Sequence, residues 1–448
     1  MSTLIVRTIK TPDNTPVSFP NGIMVGTATG AGTINNIGTA GQQGFGVGIA
    51  PSLPTGFAKL YGTEDPASDN YGNYQYSDGS IMCYIPAFYY KYGTGANGFA
   101  LNVCDIKPFG QYADVATANA AGYALHRAFY NGGAIRPGFF VDKYLCSKNG
   151  SVASSLKNGV ALSSATRGGL ASTPFSAIGQ TDAFHGSIGA ARTRGALFHP
   201  KTLFQNGALA LLANAHASAS ANTTYNAWYS SGSTNFPKGN NNNALGDTND
   251  ATIAYTWDGN ATYAGCGKTG SANFFSKTTH NGQNCGVADL NGLVYEITPF
   301  GLTSNSANYF LLNTSVDVNT ITSGTTLATD AWGATGLAAM YTDIGTTYGP
   351  LTASSTNKIF GSATQVLSEA TSGTAWAMAG AGVPLLTGVG GSNQFGNDVF
   401  YDSRPDTMCP IVSGYWSNFA NAGVWALDCS HSRASTVANY GLRSACYL

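Results

Sequence analysis

The residues able to do chemistry in this 448-residue chain are few and widely spaced. Eight cysteines (Cys83, Cys104, Cys146, Cys266, Cys285, Cys409, Cys429 and Cys446) include no C-x-x-C pair, the spacing that zinc sites and dithiol redox centres use. Cys266, His280 and Cys285 come nearest to a zinc set. Buried, reduced thiols are the ordinary reading for a chain made in a cytoplasm; Cys266–Cys285 or Cys429–Cys446 could pair only after release from the cell. Asp247, Asp250 and Asp258 lie in Asn/Gly-rich stretches and could give oxygen ligands to a structural calcium. Their spacing is not that of an EF-hand, and Asx-turns are the commoner use of such residues. Asp65 and Asp69, in YGTEDPASDNYGNYQYSDG, read as a solvated loop. No other cofactor is expected. The chain has no G-x-S-x-G elbow, no H-E-x-x-H and no P-loop lysine. Its 22 acidic residues show no local pair of the kind glycoside hydrolysis needs. The chain is not expected to be an enzyme.

Binding chemistry is better represented, in Gly414–Leu448. Tyr415, Ser417, Asn418, Asn421, Ser430, Ser432, Ser435, Asn439 and Tyr440 alternate with an apolar frame of Trp416, Val424, Trp425, Leu427 and Leu442. Tyr, Ser and Asn suit binding loops: the aromatic gives contact area at small entropic cost, and the small polar residues adapt their hydrogen bonds. Trp416 and Trp425 read as ordinary core.

The elements that must hold this loop can be read from hydrophobic period and punctuation. Val424–Leu427 and Gly441–Leu448 are expected strands, as are Ile81–Tyr92 and Phe139–Cys146. Shorter strand-like pieces occur at Asn308–Leu312 and Ala375–Met378. Thr202–Ala217 is the clearest helix, with Leu203, Ala210, Leu211 and Ala215 on a buried stripe and Gly207 weakening it. His199 and His216 flank it as core or capping residues. A shorter helix is expected within Ala113–Phe129, with Asp114 near its start. Glu296, if buried, needs a cation, and Arg404, Arg433 and Arg443 are the candidates.

The frame GYW…AGVWAL…SRA…NYGLRSACYL resembles the C-terminus of C-type-lectin-fold proteins of phages and prophages. These are similar to the variable proteins of diversity-generating retroelements and more distantly to the formylglycine-generating enzyme family. The resemblance extends through Phe395–Trp416, Cys285–Leu302, Arg136–Ser147 and Ile85–Tyr92, blocks that occur in the family's order. It implies an α+β chain with an elaborated C-type lectin fold and long loop insertions. By the same resemblance, strands near Ile81–Tyr90 or Phe139–Tyr144 should lie beside Gly441–Leu448, and Tyr415, Ser417, Asn418, Phe419, Asn421, Asp428, Ser430, His431, Ser432, Ser435, Asn439 and Tyr440 sit at loop positions of the kind that vary and meet a receptor. Arg433 and Arg443 match frame positions. Formylglycine-generating relatives bind copper with a close cysteine pair in this segment; here only Cys429 lies between Trp416 and Arg443, so that catalysis does not carry over.

Charged residues make up only 10% of the chain, and Gly (57 residues), Ser, Thr and Asn take their place. With 43% apolar residues, 24 Tyr and 22 Phe the composition is that of a folded, loop-rich protein. A net charge of −1 argues against an extended nucleic-acid surface, and without a run of about 20 apolar residues no membrane span is expected. Residues 1–54 read as a small Gly-rich β region for virion attachment and oligomerisation, 55–79 as a connecting loop, and 80–448 as the lectin-like receptor-binding domain, with insertions near 222–284 and 303–393. The expected protein is a bacteriophage tail-fibre component, made in the host cytoplasm and placed in the virion. It would be a homotrimer that meets other virion proteins through its N-terminus and a host-surface receptor through its C-terminal loops. A purely structural head-fibre, decoration or baseplate role is the alternative, and a depolymerase ranks behind both.

Overall fold

A computed structural model describes residues 32–220, 239–248, 250–322, 337, 339–361, 364–387, 395 and 398–448. The strand-like phrases expected before residue 31, and the Asn222–Lys238 part of the polar insertion, lie outside the described residues.

The architecture is α+β and rich in strands, with two six-stranded sheets and four smaller ones among the described residues. The first large sheet runs, in spatial order, Phe57–Lys59, Asn73–Tyr76, Ile81–Pro86, Gly138–Asp142, Ser444–Tyr447 and His199–Pro200, each neighbour antiparallel. The last strand therefore pairs with Gly138–Asp142 (Ala445 opposite Val141, Cys446 opposite Phe140), as the resemblance implied. Two strands of this sheet come from residues read as a connecting loop. Phe57 and Tyr74 are the reason: both are buried against Phe140, so Tyr/Asn-rich chain becomes sheet where its aromatics find a core.

The second large sheet is mixed. Its order is Lys358–Ile359, Val399–Asp402, Leu427–Cys429, Ile411–Val412, Tyr295–Ile297 and Tyr440–Gly441. Val399–Asp402 runs parallel to Leu427–Cys429, and Tyr295–Ile297 parallel to Tyr440–Gly441. The expected strand Gly441–Leu448 is thus two strands. Tyr440–Gly441 belongs to the second sheet and Ser444–Tyr447 to the first, and the chain crosses between them at Leu442–Arg443. Ile81–Tyr92 divides in the same way at Ala87, its second half joining Cys104–Pro108 and Ala124–Leu125 in a smaller sheet.

Val424–Leu427 is a turn that enters a strand only at Leu427. The cause is Asp398. Its Oδ2 accepts from the Trp425 N–H at 2.8 Å, and a Cβ on Gly423 would sit 1.8 Å from its Oδ1, so the chain bends closely over a buried carboxyl. Burial holds that carboxyl well above the usual carboxylate range. Ala375–Met378, read as strand, lies in the helix Gly373–Gly380. Asn308–Leu312 supplies the strand Tyr309–Leu312, and Asp114 caps the short helix Val115–Ala120 through the Thr117 N–H.

The long helix spans Leu203–Ser220. Thr202 and Gln205 close a capping box at its start: Thr202 Oγ1 accepts from the Gln205 N–H at 3.0 Å, and Gln205 Oε1 from the Thr202 N–H at 2.9 Å. The expected stripe, widened by Phe204, Leu209 and Leu212, extends to the other side of the helix as well, with Ala213, Asn214 and His216 also inside, as befits a helix at the centre of a core. Gly207 is explained by the helix Gly373–Gly380 crossing it, since a Cβ there would meet the Gly380 carbonyl at 2.1 Å.

One core gathers Ile37, Phe45, Phe88, Leu209, Phe300, Val424 and Tyr447. The apolar residues of 32–54 are therefore part of the main body. Gly41 N–H donates to His216 Nδ1 at 3.1 Å, and His280 Nε2 lies 2.9 Å from the Gly46 carbonyl. All eight cysteines are buried free thiols. Scarce charge is spent inside: Arg194 grips Asp142 with two bonds of 2.6 and 2.8 Å, Arg167 meets Asp258 at 3.2 Å, and Glu296 meets both Lys201 (2.7 Å) and Arg443 (3.0 Å). Of the three arginines considered for Glu296, Arg443 is the partner. Arg404 instead bonds the Thr346 carbonyl and Arg433 the Pro299 carbonyl. No helix among the described residues is long and apolar enough to cross a membrane.

Candidate functional site

The C-terminal loop is held from below by buried groups. Trp416 and Trp425 are 2% and 3% exposed, and Arg433 and Arg443 are fully buried. Around this frame the chain makes a groove of about 650 Å³, lined on one side by Tyr415, Ser417 and Asn439 and on the other by Asn243, Thr262 and Tyr263. The two walls are 150 residues or more apart in sequence, yet backbone bonds join them. Asn243 N–H donates to the Trp416 carbonyl, Phe419 N–H to the Asn241 carbonyl (2.7 Å), and Trp416 N–H to the Leu293 carbonyl (3.1 Å). Asn241 Nδ2 adds a bond to the Phe419 carbonyl at 3.3 Å. Gly265 permits the approach, because a Cβ there would lie 2.5 Å from the Asn243 carbonyl carbon.

Three rings meet at the groove floor. Tyr415 stands edge-on to Trp416 (centroids 5.0 Å, 84°), and Tyr263 tilts against the same indole at 5.1 Å. Arg167 sits on Trp416, 5.9 Å from the ring. Its charge is matched by Asp258, and both side chains are fully buried. Asp258, weighed above as a calcium ligand, thus supports the groove. Asp250 pairs with Lys277 at 2.9 Å, and Asp247 Oδ2 accepts from the Gly239 N–H. Among the described residues no group of three His, Cys, Asp or Glu is placed to hold a metal ion, and His280 is occupied by Gly46 and Val287.

The twelve loop positions separate into three sets. Tyr415, Ser417 and Asn439 face the groove. Asn418, Phe419 and Asn421 form its neighbouring rim: Asn418 Oδ1 accepts from the Tyr415 N–H at 2.8 Å, and Phe419 is 51% exposed with φ of +52°. The remaining residues form a cluster behind Tyr295. His431 Nε2 lies 3.1 Å from the Tyr440 hydroxyl and 3.9 Å from Asp428 Oδ2, and Phe184 packs on both rings. Burial pushes His431 down and Asp428 up, each opposed by the other's charge. Ser430 N–H donates to Asp428 Oδ1, while Ser432 and Ser435 face each other at 3.4 Å. Tyr440 is buried, so its ring supports the loop from within. Tyr295 touches Tyr415 (5.4 Å) and Tyr440 (5.2 Å), linking cluster to groove.

Sequence reasoning missed Asn243, Thr262 and Tyr263 as partners of the C-terminal loop. The available signal was a Tyr in a Gly-rich polar stretch, TYAGCGKTG, which has the composition of a binding loop. It also passed over a second groove of similar volume, where Lys143 and Lys157 lie over Phe275 at 5.3 and 5.5 Å. Lys143 is committed there to Asn73 Oδ1 and the Asn284 carbonyl.

No family model matches the chain, and no curated protein matches it. Solved structures that align with it include three Major Tropism Determinant variants. The Major Tropism Determinant M1 variant is 12% identical with a TM-score of 0.30, covering 82% of this chain and 63% of its own. The P3c variant is 12% identical (TM-score 0.28; 89% and 73% covered), and the U1 variant 13% identical (TM-score 0.28; 94% and 82% covered). This chain therefore spans less than two thirds of the first of them.

Proposed function

We propose that this chain is a noncatalytic adhesin of a phage virion. On this reading it is an elaborated C-type lectin fold whose C-terminal loops hold a receptor on the host surface, with the N-terminal residues serving attachment and trimer formation. The observation that carries the reading is the separation of roles within Gly414–Leu448. Trp416, Trp425, Arg433 and Arg443 are sealed inside, while Tyr415, Ser417 and Asn439 line an open groove beside exposed Phe419. A frame so isolated from its loop tolerates change at the loop without loss of fold. The Tyr/Ser/Asn lining supports recognition of a partner, and the sparse surface charge supports close packing of copies. Weak single contacts would be multiplied in a trimer by avidity of roughly 10²–10⁴.

The test is binding of purified protein to candidate bacterial cells, comparing wild type with a Tyr415→Ala/Phe419→Ala variant of matched thermal unfolding. Loss of binding in the variant alone is the expected result. Equal binding by both would move the receptor site off this loop, and binding by neither would favour a purely structural virion component.

A further inference from the structure

The groove between Tyr263 and Asn439 has a lining chemistry of its own. None of its lining residues is charged at neutral pH, and Arg167, which sits on the Trp416 indole, is neutralised by Asp258. A charged ligand would lose its hydration there and gain no counter-ion, whereas a neutral one would not incur that cost. The volume of about 650 Å³ lies within the roughly 300–1,000 Å³ typical of small-ligand sites. A protein partner needs a contact of about 800 Å² on each side, more than this groove alone supplies. Its lining is part aromatic and part amide and hydroxyl. Tyr263 is 38% exposed and offers a ring face; Asn243, Thr262, Ser417 and Asn439 offer side-chain donors and acceptors. The amide oxygen of Asn439 is buried and has no hydrogen-bond partner among the described residues, so it is the one buried side-chain group of the lining left unsatisfied by the fold. The walls are tied by backbone bonds before any ligand arrives, so little ordering remains to oppose binding.

We propose that this groove takes a neutral sugar residue of a host-surface glycan, its C–H face stacked on Tyr263 and its hydroxyls bonded by Asn243, Ser417 and Asn439. The inference rests on the adhesive reading above and names the chemistry of its receptor.

Two measurements test it and separate its failure from failure of the adhesive reading. Full-length protein is applied to an array of neutral hexose and N-acetylhexosamine glycosides printed beside uronic and sialic acids, and to host cells treated with periodate or with protease. Tyr263 is partly exposed and rests its ring on Trp416, so Tyr263→Ala should fold, which thermal unfolding verifies; Asn439→Ser is the second variant. The expected result is binding to neutral glycosides, weakened at least tenfold by Tyr263→Ala, and cell binding destroyed by periodate but not by protease. Preference for the acidic sugars, or neutral-sugar binding unchanged in both variants, would overturn the inference. So would cell binding that survives periodate and is lost to protease, which leaves the adhesive reading standing with a protein receptor. Absence of cell binding altogether would overturn both.

Discussion

Arg443 and Glu296 face each other across the junction of the two large sheets, Nε to Oε2 at 3.0 Å, both fully buried. Arg443 occupies the two-residue crossing between Tyr440–Gly441 and Ser444–Tyr447, and its other nitrogens bond the carbonyls of Asp142, Lys143 and Ala288. Glu296 lies in the strand paired with Tyr440–Gly441 and also holds Lys201, just before the long helix. The two cations keep the Glu296 carboxyl below its ordinary range although burial opposes this. One carboxylate thus ties both sheets and the helix together, with the C-terminal loop suspended from the same strands.

Glu296→Gln should be the most damaging single change in this network, because it leaves two buried cations without their anion. A loss of about 3–5 kcal/mol is expected, read as a fall in the urea midpoint. Lys201→Met should cost less, since Glu296 keeps Arg443. Equal costs would mean that Arg443 alone does not hold the carboxylate.

Gly207→Ala tests the helix crossing. Helix propensity alone would favour alanine by about 1 kcal/mol, but the added methyl meets the Gly380 carbonyl. Overpacking of this kind costs roughly 1–3 kcal/mol, so the melting temperature should fall. A rise would show that the two helices can separate freely.

Acid should destabilise the protein between about pH 6.5 and 4. Burial pushes His126 down to about 3, and His199 and His280 to about 4, against roughly 6.5 in an unfolded chain. Over that interval the unfolded chain binds protons that the folded one refuses, so the histidine contribution is intact above pH 6.5 and is lost as pH falls through the folded values. Asp398, raised by burial, acts in the opposite sense above the unfolded carboxylate range near 4. His199→Phe, which keeps a ring on Tyr447, should show a shallower decline of urea midpoint with acid than wild type.

Thiol titration should find all eight cysteines, but only after denaturation. Each is buried, and burial raises the thiols, Cys83 to about 12 and Cys409 to about 11, which leaves almost no thiolate at neutral pH. Native protein should react slowly. Fewer than eight thiols in non-reducing urea would reveal a disulfide.

The sequence by itself determined the local features. A Thr-x-x-Gln box and a stretch rich in Leu and Ala suffice to start and continue the helix Leu203–Ser220, Asp114 caps its own short helix, and the Trp and Val residues of Gly414–Leu448 announce burial through residue type alone. It also showed that Glu296 needed a cation. What only the tertiary structure decided was every choice that depends on residues distant in the chain: Arg443 and Lys201 as the partners, the turn at Val424–Trp425 imposed by Asp398, the helix at Gly373–Gly380 where a strand was expected, and the strands within 55–79. The groove belongs to this second kind. Its walls, Thr262–Gly265 and Tyr415–Asn439, each read as a polar loop, because hydrogen bonds between backbones carry no residue-type signal. Only folding brings the Asn243 N–H to the Trp416 carbonyl and makes one surface of two loops.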